Sequence, residues 1–186
     1  MSIAENIERL RAEIARAAEE SGRHGSDIKL VAASKMNGSD AVRQAVAAGV
    51  DACGENRVQE MLQKLSEHAY DGAPLHFIGH LQKNKVKNVV GNVDLIESAD
   101  SPELIGLISE RAEKLGIVQD ILIELNIGGE ANKTGMALDL LPQALDTAAG
   151  SAGVRVRGLM TVPPVSDDSA KNRAYFAQMH DLFVDI

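Results

Sequence analysis

The feature of this sequence that most constrains its fold is a regular alternation of short apolar runs with amphipathic segments. The runs are four to seven residues long, and the apolar residues between them recur every three or four positions. They lie at residues 28–33, 51–54, 75–78, 94–97, 120–126 and 154–160. Short apolar runs are typical of buried strands, and strands that alternate with helices form a parallel sheet through right-handed crossovers. The sequence therefore predicts an α/β fold.

The spacing of these runs favours a TIM-type (β/α)8 barrel that is short of its full set of strands. Successive runs end 18 to 34 residues apart. A complete barrel needs at least about 200 residues, whereas this chain has 186. We predict about six β/α units after an N-terminal helix over residues 3–21, in a single domain over residues 1–186. A six-stranded doubly wound sheet is the alternative.

Composition excludes several functional classes. The net charge is −8 and the only aromatic residues are three Phe and two Tyr, which argues against a nucleic-acid binder built on base stacking. No apolar stretch approaches the ~18 residues that a membrane span needs. The start of the chain shows no signal peptide. A single cysteine, Cys53, fits a reducing compartment. We expect a soluble cytoplasmic protein without membrane or nucleic-acid partners.

Polar residues collect at the carboxyl ends of the predicted strands, which is the ligand-binding face of parallel α/β folds. Lys35 is the sharpest candidate because it follows a run that we interpret as buried. A desolvated lysine loses proton affinity, and its neutral amine can attack an aldehyde. The alternative is a lysine that points to solvent or pairs with Glu55 or Glu97. The set comprises Lys35, Asn56, His80, Gln82, Glu97, Asn126 and Met160.

Three other patterns point less strongly to chemistry. His76, His80 and Cys53 do not promise the convergence that zinc requires, so we predict no metal site and interpret Cys53 as a core residue. The Gly-rich stretch 128–134 lacks the glycine that a P-loop places directly before its lysine, and we expect it to be a turn. The lysines of stretch 83–87 are interpreted as a solvated helix face.

Five blocks of sequence, in order along most of the chain, resemble the pyridoxal 5′-phosphate (PLP) homeostasis protein family. The first two follow successive strands, and the third is the most recognisable. The blocks are Val31-Ala32-Ala33-Ser34-Lys35, Gly54-Glu55-Asn56-Arg57-Val58-Gln59-Glu60, His76-Phe77-Ile78-Gly79-His80-Leu81-Gln82-Lys83-Asn84-Lys85, Asn126-Ile127-Gly128-Gly129-Glu130 with Lys133 and Gly135, and Arg157-Gly158-Leu159-Met160-Thr161 with Pro163-Pro164.

The resemblance implies a fold similar to the N-terminal barrel of alanine racemase, and a PLP cofactor held as a Schiff base on Lys35. It also implies that Asn56, His80, Asn126 and Met160 line the cofactor pocket. Members are thought to buffer PLP or deliver it to PLP-dependent apoenzymes as monomers, and no catalysed reaction is established for them. A PLP-dependent racemase-like enzyme and a remnant with weak or no PLP binding are the alternatives.

The chain departs from the family pattern after its last helical segment. The family continues with two further strands that carry the phosphate-binding hydroxyls and amides, and we find no counterpart of them here. In barrels generally the phosphate site belongs to the last two strands. We therefore expect weaker non-covalent PLP binding, and strand edges that are open to association with another chain.

Overall fold

The computed structural model describes residues 2–130 and 133–186, which form two compact units that divide between His76 and Phe77. Ala131 and Asn132, within the glycine-rich stretch 128–134, lie outside the described residues. Each unit consists of strands that alternate with helices along the chain. The elements that carry the candidate site are therefore given unit by unit.

The first unit contains two parallel strands with helices before, between and after them, and a third strand begins at its end. Strands β1 and β2 pair so that Ala33 lies opposite Gly54. The pairing aligns their carboxyl ends, from which the next residues of both segments continue. The elements are α1 (Ile3–Glu20), β1 (Val31–Ala33), α2 (Ser39–Ala47), β2 (Ala52–Glu55), α3 (Val58–Ser66) and β3 (Leu75–Phe77).

Helix α1 matches the predicted N-terminal helix, whereas α2 begins after a glycine although a serine, a residue type that favours N-caps, follows directly. Ser2 and Glu5 form a capping box that satisfies backbone donors at the start of α1. In α2 the N-cap is Gly38, and Ser39 is the first helical residue. The Ser39 hydroxyl donates to the carboxylate of Glu67. It is therefore engaged in a contact between distant segments that local sequence does not encode.

Strand β1 is less buried than its apolar sequence predicts. Val31 and Ala32 are half-buried and Ala33 is exposed, whereas all four residues of β2 are buried. Among the described residues of this unit, β1 pairs along one edge only, with β2. The apolar run therefore predicted the strand correctly, but the side chains of this strand are less buried than it predicted.

The second unit continues the alternation. Strands β4, β5 and β6 pair in parallel in chain order, with a register shift in each ladder. The interior includes isoleucines from β4, β5 and α5, of which Ile96, Ile108 and Ile121 are fully buried. The elements are α4 (Val86–Val89), β4 (Leu95–Ala99), α5 (Pro102–Leu115), β5 (Gln119–Glu124), α6 (Leu141–Ala149), β6 (Val154–Met160) and α7 (Ser169–Val184).

Local signals fix helix α5 at both ends. The Ser101 side chain accepts a hydrogen bond from the backbone of Leu104, and Pro102 occupies the first turn. Gly116 ends the helix in the left-handed conformation, with φ of 69°, which glycine adopts at little cost. All six predicted strands are present, and they confirm the predicted α/β class and the count of six units.

Helix α7 corresponds to the last helical segment of the sequence, and it contains no buried residue. Phe176 and Phe183 on this helix are more than half exposed. In the described part of the chain, no helix combines the length and the apolar character that crossing a bilayer requires.

Candidate functional site

Lys35 lies two residues beyond the last residue of β1, and its side chain is exposed. Among the described residues of its own unit the Glu55 carboxylate is bound by Lys64 and not by Lys35, so the alternative of a lysine that points to solvent fits the structure. The expectation that this lysine is desolvated is wrong for the present structure, because its side chain is exposed and β1 is only half-buried. Lys35 is therefore an accessible amine at a strand end.

A buried ion pair lies directly behind this lysine. The ammonium group of Lys64, on α3, donates to the Glu55 carboxylate and to the backbone oxygen of Ser34, the latter at 2.8 Å. The Ser34 hydroxyl donates to the same carboxylate oxygen at 2.7 Å. The Lys64 and Glu55 side chains are 6% and 0% exposed. Both charges are thus removed from water and depend on each other.

This cluster fixes the peptide from which Lys35 extends. Because Ser34 is held through both its carbonyl and its hydroxyl, the backbone before Lys35 has little freedom. Breaking such a buried pair by removing one partner typically costs about 3–5 kcal/mol, since it leaves a charge without compensation. The cluster is therefore a rigid base for an otherwise unrestrained lysine side chain.

The residue after Lys35 has a strained backbone. Met36 has φ of 61° and is 82% exposed, so no packing of its side chain explains this conformation. Its N–H donates to the carboxylate of Glu60 at 2.9 Å, and this hydrogen bond lowers the pKa of Glu60. Left-handed conformations of non-glycine residues cost roughly 1–3 kcal/mol and cluster at functional sites. The turn is therefore fixed on both sides of Lys35.

Asn56 follows β2 as Lys35 follows β1, and its side chain carries an unsatisfied buried atom. The side-chain oxygen of Asn56 is buried and accepts no hydrogen bond in the described structure. Its backbone N–H lies 3.3 Å from the Glu55 carboxylate. An unsatisfied buried oxygen costs about 1–3 kcal/mol. Asn56 can therefore offer a hydrogen-bond acceptor to a bound group.

Two further groups of the first unit are buried and unreactive. Cys53 is fully buried, and burial together with the Glu55 charge raises the pKa of its thiol to about 11. The interpretation of Cys53 as a core residue is confirmed. Burial also raises the pKa of Tyr70, again with a contribution from Glu55. Neither group supplies an accessible nucleophile.

In the second unit, His80 is an exposed residue just beyond β3, and its ring is oriented by a carboxylate. Its Nδ1 lies 2.9 Å from the Asp100 carboxylate, which follows β4. The imidazole side chain is half exposed and that of Asp100 is largely buried. This contact leaves Nε2 as the ring nitrogen available to a ligand.

Glu124 is the last residue of β5 and was not predicted from the sequence. Its side chain accepts a hydrogen bond of 2.5 Å from the Thr134 hydroxyl, while its other carboxylate oxygen is buried without a partner in the described structure. Burial raises the pKa of Glu124, the charge of Asp100 raises it further, and His80 opposes the shift. Among the described residues of the second unit, no ion pair involves this buried carboxyl group.

Asn126 and Met160, the other two pocket residues that the resemblance implies, lie just beyond β5 and at the end of β6. The Asn126 amide donates to the Glu130 carbonyl at 2.8 Å, and its side-chain oxygen accepts from the Glu130 N–H. Its amide therefore stabilises the following loop. Met160 is half-buried, and its carbonyl accepts from the Leu125 N–H. In this arrangement both residues are tied to local structure.

The described part of the stretch 128–134 acts as a turn, as the missing P-loop glycine suggests. Lys133 donates to the Pro163 carbonyl at 3.0 Å and pairs with the carboxylate of Glu130 at 2.9 Å. Its charge is therefore used within the loop. Gly135, with φ of 96°, packs so closely that a Cβ would lie 2.6 Å from the Asn126 nitrogen.

Lys64 was not predicted from the sequence as part of the site, although the spacing of apolar residues in α3 indicates that it is buried. Val58, Met61 and Lys64 recur at intervals of three and are the buried residues of that helix. A lysine in the apolar stripe of a short helix either extends its charge to water or meets a buried acid. The acid was visible too, since Glu55 ends an apolar strand.

The whole chain is similar to proteins of known family. The family model for the N-terminal domain of alanine racemase matches residues 3–186. The pyridoxal phosphate homeostasis protein of Aquifex aeolicus is 39% identical over 182 residues, covering 98% of this chain and 80% of the relative. The protein of that name from Pseudomonas aeruginosa is 34% identical over 185 residues, covering 100% and 80%.

Solved structures give the same result. PipY of Synechococcus elongatus with PLP bound superposes with a TM-score of 0.85 and 30% identity, covering 99% of this chain and 81% of PipY. Alanine racemase of Clostridium difficile superposes with a TM-score of 0.75 at 15% identity, covering 95% of this chain and 48% of the racemase. The racemase likeness concerns the fold alone and confirms the predicted alanine racemase-type α/β architecture.

Proposed function

The chain belongs to the alanine racemase N-terminal domain family and to the pyridoxal phosphate homeostasis proteins, and on that premise we propose that it binds PLP through Lys35. We propose further that it holds the cofactor as a Schiff base for PLP homeostasis and catalyses no reaction of its own. The proposal takes its ligand from relatives that are named for PLP or have been solved with it.

The observation that carries the proposal is that an exposed amine and an unsatisfied acceptor lie at the ends of adjacent strands. Lys35 and Asn56 each lie two residues beyond the paired residues Ala33 and Gly54. The Asn56 side-chain oxygen is buried without a partner in the described structure. These residues fit a ligand that presents an aldehyde and a hydrogen-bond donor.

When bound, PLP supplies an aldehyde that a primary amine captures reversibly. The neutral amine of Lys35 attacks the aldehyde carbon, a carbon–nitrogen double bond replaces the carbonyl, and one water molecule leaves. The fixed peptide between Ser34 and Met36 presents the amine, while its exposure leaves water free to reverse the reaction. Reversible capture is what a cofactor carrier requires.

His80, Asn126 and Met160 complete the proposed set of cofactor-binding residues. Their assignment rests on the family resemblance and on their positions beyond or at strand ends. His80 supports it best, because Asp100 orients the ring and leaves Nε2 available. For Asn126, the proposal requires its amide to serve the ligand in addition to the Glu130 loop.

A role in homeostasis implies transfer to other proteins. We propose PLP-dependent apoenzymes as the recipients and the cytoplasm as the location. The single buried thiol of Cys53 fits a reducing compartment. Relatives are named for homeostasis and not for a reaction, which supports a carrier over a racemase-like enzyme.

Reductive labelling tests the proposal. We expect incubation with PLP followed by borohydride to add one phosphopyridoxyl group to Lys35, as located by peptide mass mapping. Lys35→Ala should lose this label. Lys29→Ala is the matched control, because Lys29 is also exposed and precedes the same strand. It should keep the label on Lys35.

Two results would overturn the proposal. A label spread evenly over exposed lysines, unchanged in Lys35→Ala, would show that Lys35 has no special role. Turnover of an amino acid by the PLP-loaded protein, lost in Lys35→Ala, would establish the racemase-like enzyme instead of the carrier.

A further inference from the structure

A groove of about 370 Å³ lies in the second unit, between α5 and the turn that leads into α4. Four basic side chains line it: Lys83, Lys87, Arg111 and Lys114. None of them belongs to the proposed PLP site. The sequence pattern predicts that the lysines of stretch 83–87 form a solvated helix face. In the structure Arg111 from α5 lines the same groove, so the surface is concave and basic.

Arg111 is the central residue of this groove. Its guanidinium forms no hydrogen bond or ion pair with any described residue, and its Nε is buried without an acceptor. A charged donor that is removed from water without an acceptor is costly. A guanidinium presents parallel N–H donors that match the oxygens of an anion. Arg111 is therefore a charged donor that has no anionic acceptor among the described residues.

The charges around Arg111 indicate the charge of that partner. Lys83 pairs with Glu103, and Lys114 pairs with Glu110. Lys87 and Arg111 pair with no described acid, so the four cations and two carboxylates leave a local charge of +2. This local positive charge contrasts with the net charge of the whole chain, which is −8.

We propose that the groove binds the phosphate group of a phosphorylated small molecule, with Arg111 and Lys87 as its direct ligands. A phosphate monoester carries a charge near −2 at neutral pH, which balances the local charge, whereas a single carboxylate would not. The volume suits a small molecule. This site is independent of Lys35.

A titration with inorganic phosphate and glycerol phosphate, followed by ¹⁵N NMR of the protein, tests the proposal. Chloride is exchanged for phosphate at constant ionic strength, so that non-specific screening stays the same. We expect the Arg111 Nε–H signal to shift with saturation at one site. A shift that grows linearly, or that chloride reproduces, would overturn the proposal.

Variants assign the binding to the groove. Arg111→Met should weaken phosphate binding about tenfold, since it removes a charged hydrogen-bond donor. Arg16→Met removes the same charge from an exposed position on α1 and should leave the affinity unchanged. Lys87→Gln changes an exposed side chain, so it should fold normally and weaken binding about threefold. Equal affinity in Arg111→Met and Arg16→Met, or full affinity in Lys87→Gln, would contradict the assignment.

The two sites are distinguishable in the same samples. Arg111→Met should retain borohydride labelling of Lys35, because the groove plays no part in that reaction. Loss of phosphate binding with retained labelling would support both proposals, and phosphate binding that persists in Arg111→Met would defeat only the one made for the groove.

Discussion

In each unit of the molecule one strand ends in a buried glutamate, and the two glutamates differ in the groups that contact their carboxylates. Glu55 at the end of β2 is fully buried and meets the Lys64 ammonium group and the Ser34 hydroxyl. Glu124 at the end of β5 is 3% exposed and meets only the Thr134 hydroxyl, with one oxygen unpartnered in the described structure. The glutamate of the first unit is paired with a lysine, whereas no ion pair with the glutamate of the second unit occurs among the described residues.

The difference shows how charge compensation determines what a buried carboxyl can do. A carboxylate with a buried lysine remains charged and holds structure around it, here the peptide before Lys35. A carboxyl without a cation is favoured in its protonated form, and burial raises the pKa of Glu124 accordingly. The first arrangement stabilises a fixed geometry, and the second makes stability depend on pH.

Removing Lys64 should have the largest effect. Lys64→Met leaves the buried carboxylate of Glu55 without its cation and should lower the free energy of unfolding by about 3–5 kcal/mol. Urea unfolding at pH 7 measures this change. Lys114→Met is the control, because the pair of Lys114 with Glu110 is exposed and its loss should cost less than about 1 kcal/mol.

The double variant Glu55→Gln with Lys64→Met sharpens this comparison. It removes both charges together and should recover much of the lost stability, because no uncompensated charge remains. If Lys64→Met proved no more harmful than Lys114→Met, the buried pair would not be the base that holds the Lys35 segment.

Neutralising Glu124 should raise the free energy of unfolding, whereas removing Lys64 should lower it. Since its pKa is raised in the folded state, the folded protein binds more protons than the unfolded one. Its free energy of unfolding must therefore fall as pH rises above the ordinary carboxyl range, until the folded-state pKa is passed. Glu124→Gln should flatten this dependence and raise stability by about 1 kcal/mol at neutral pH.

Urea unfolding between pH 5 and about pH 8 measures the slope that Glu124 contributes. Glu13→Gln, at an exposed position on α1, should leave the slope as it is in the unmodified chain. An unchanged slope in Glu124→Gln would show that Glu124 is compensated after all.

The smallest effect is expected from Asp100→Asn. This change removes the negative charge that raises the pKa of Glu124 and keeps an acceptor for His80. Stability should change by about 0.5 kcal/mol, since the contact with His80 is half exposed. A ¹³C NMR titration should show the Glu124 carboxyl losing its proton at lower pH than in the unmodified chain. A shift to higher pH would contradict the inferred repulsion.

Local sequence signals predicted the helices and strands better than they predicted the burial and the contacts of those elements. Ser101, Pro102 and Gly116 set the ends of α5 because caps and a left-handed glycine act within a few residues. Ser39 belongs to a residue type that favours N-caps, but its hydroxyl donates to Glu67, 28 residues away along the chain, and no local signal indicates that contact. The exposure of Lys35 could not be predicted either, because it depends on which edges of β1 are covered.

The sequence by itself determined the order and number of strands and helices, because periodicity and capping are short-range. It also determined the family, since five motifs occur in the right order. Only the tertiary structure decided which charges are buried and whether each meets an opposite charge. Lys64 reaches Glu55, while Glu124 meets no cation in the described structure, and the cost of burying a charge depends on every group that excludes water from it.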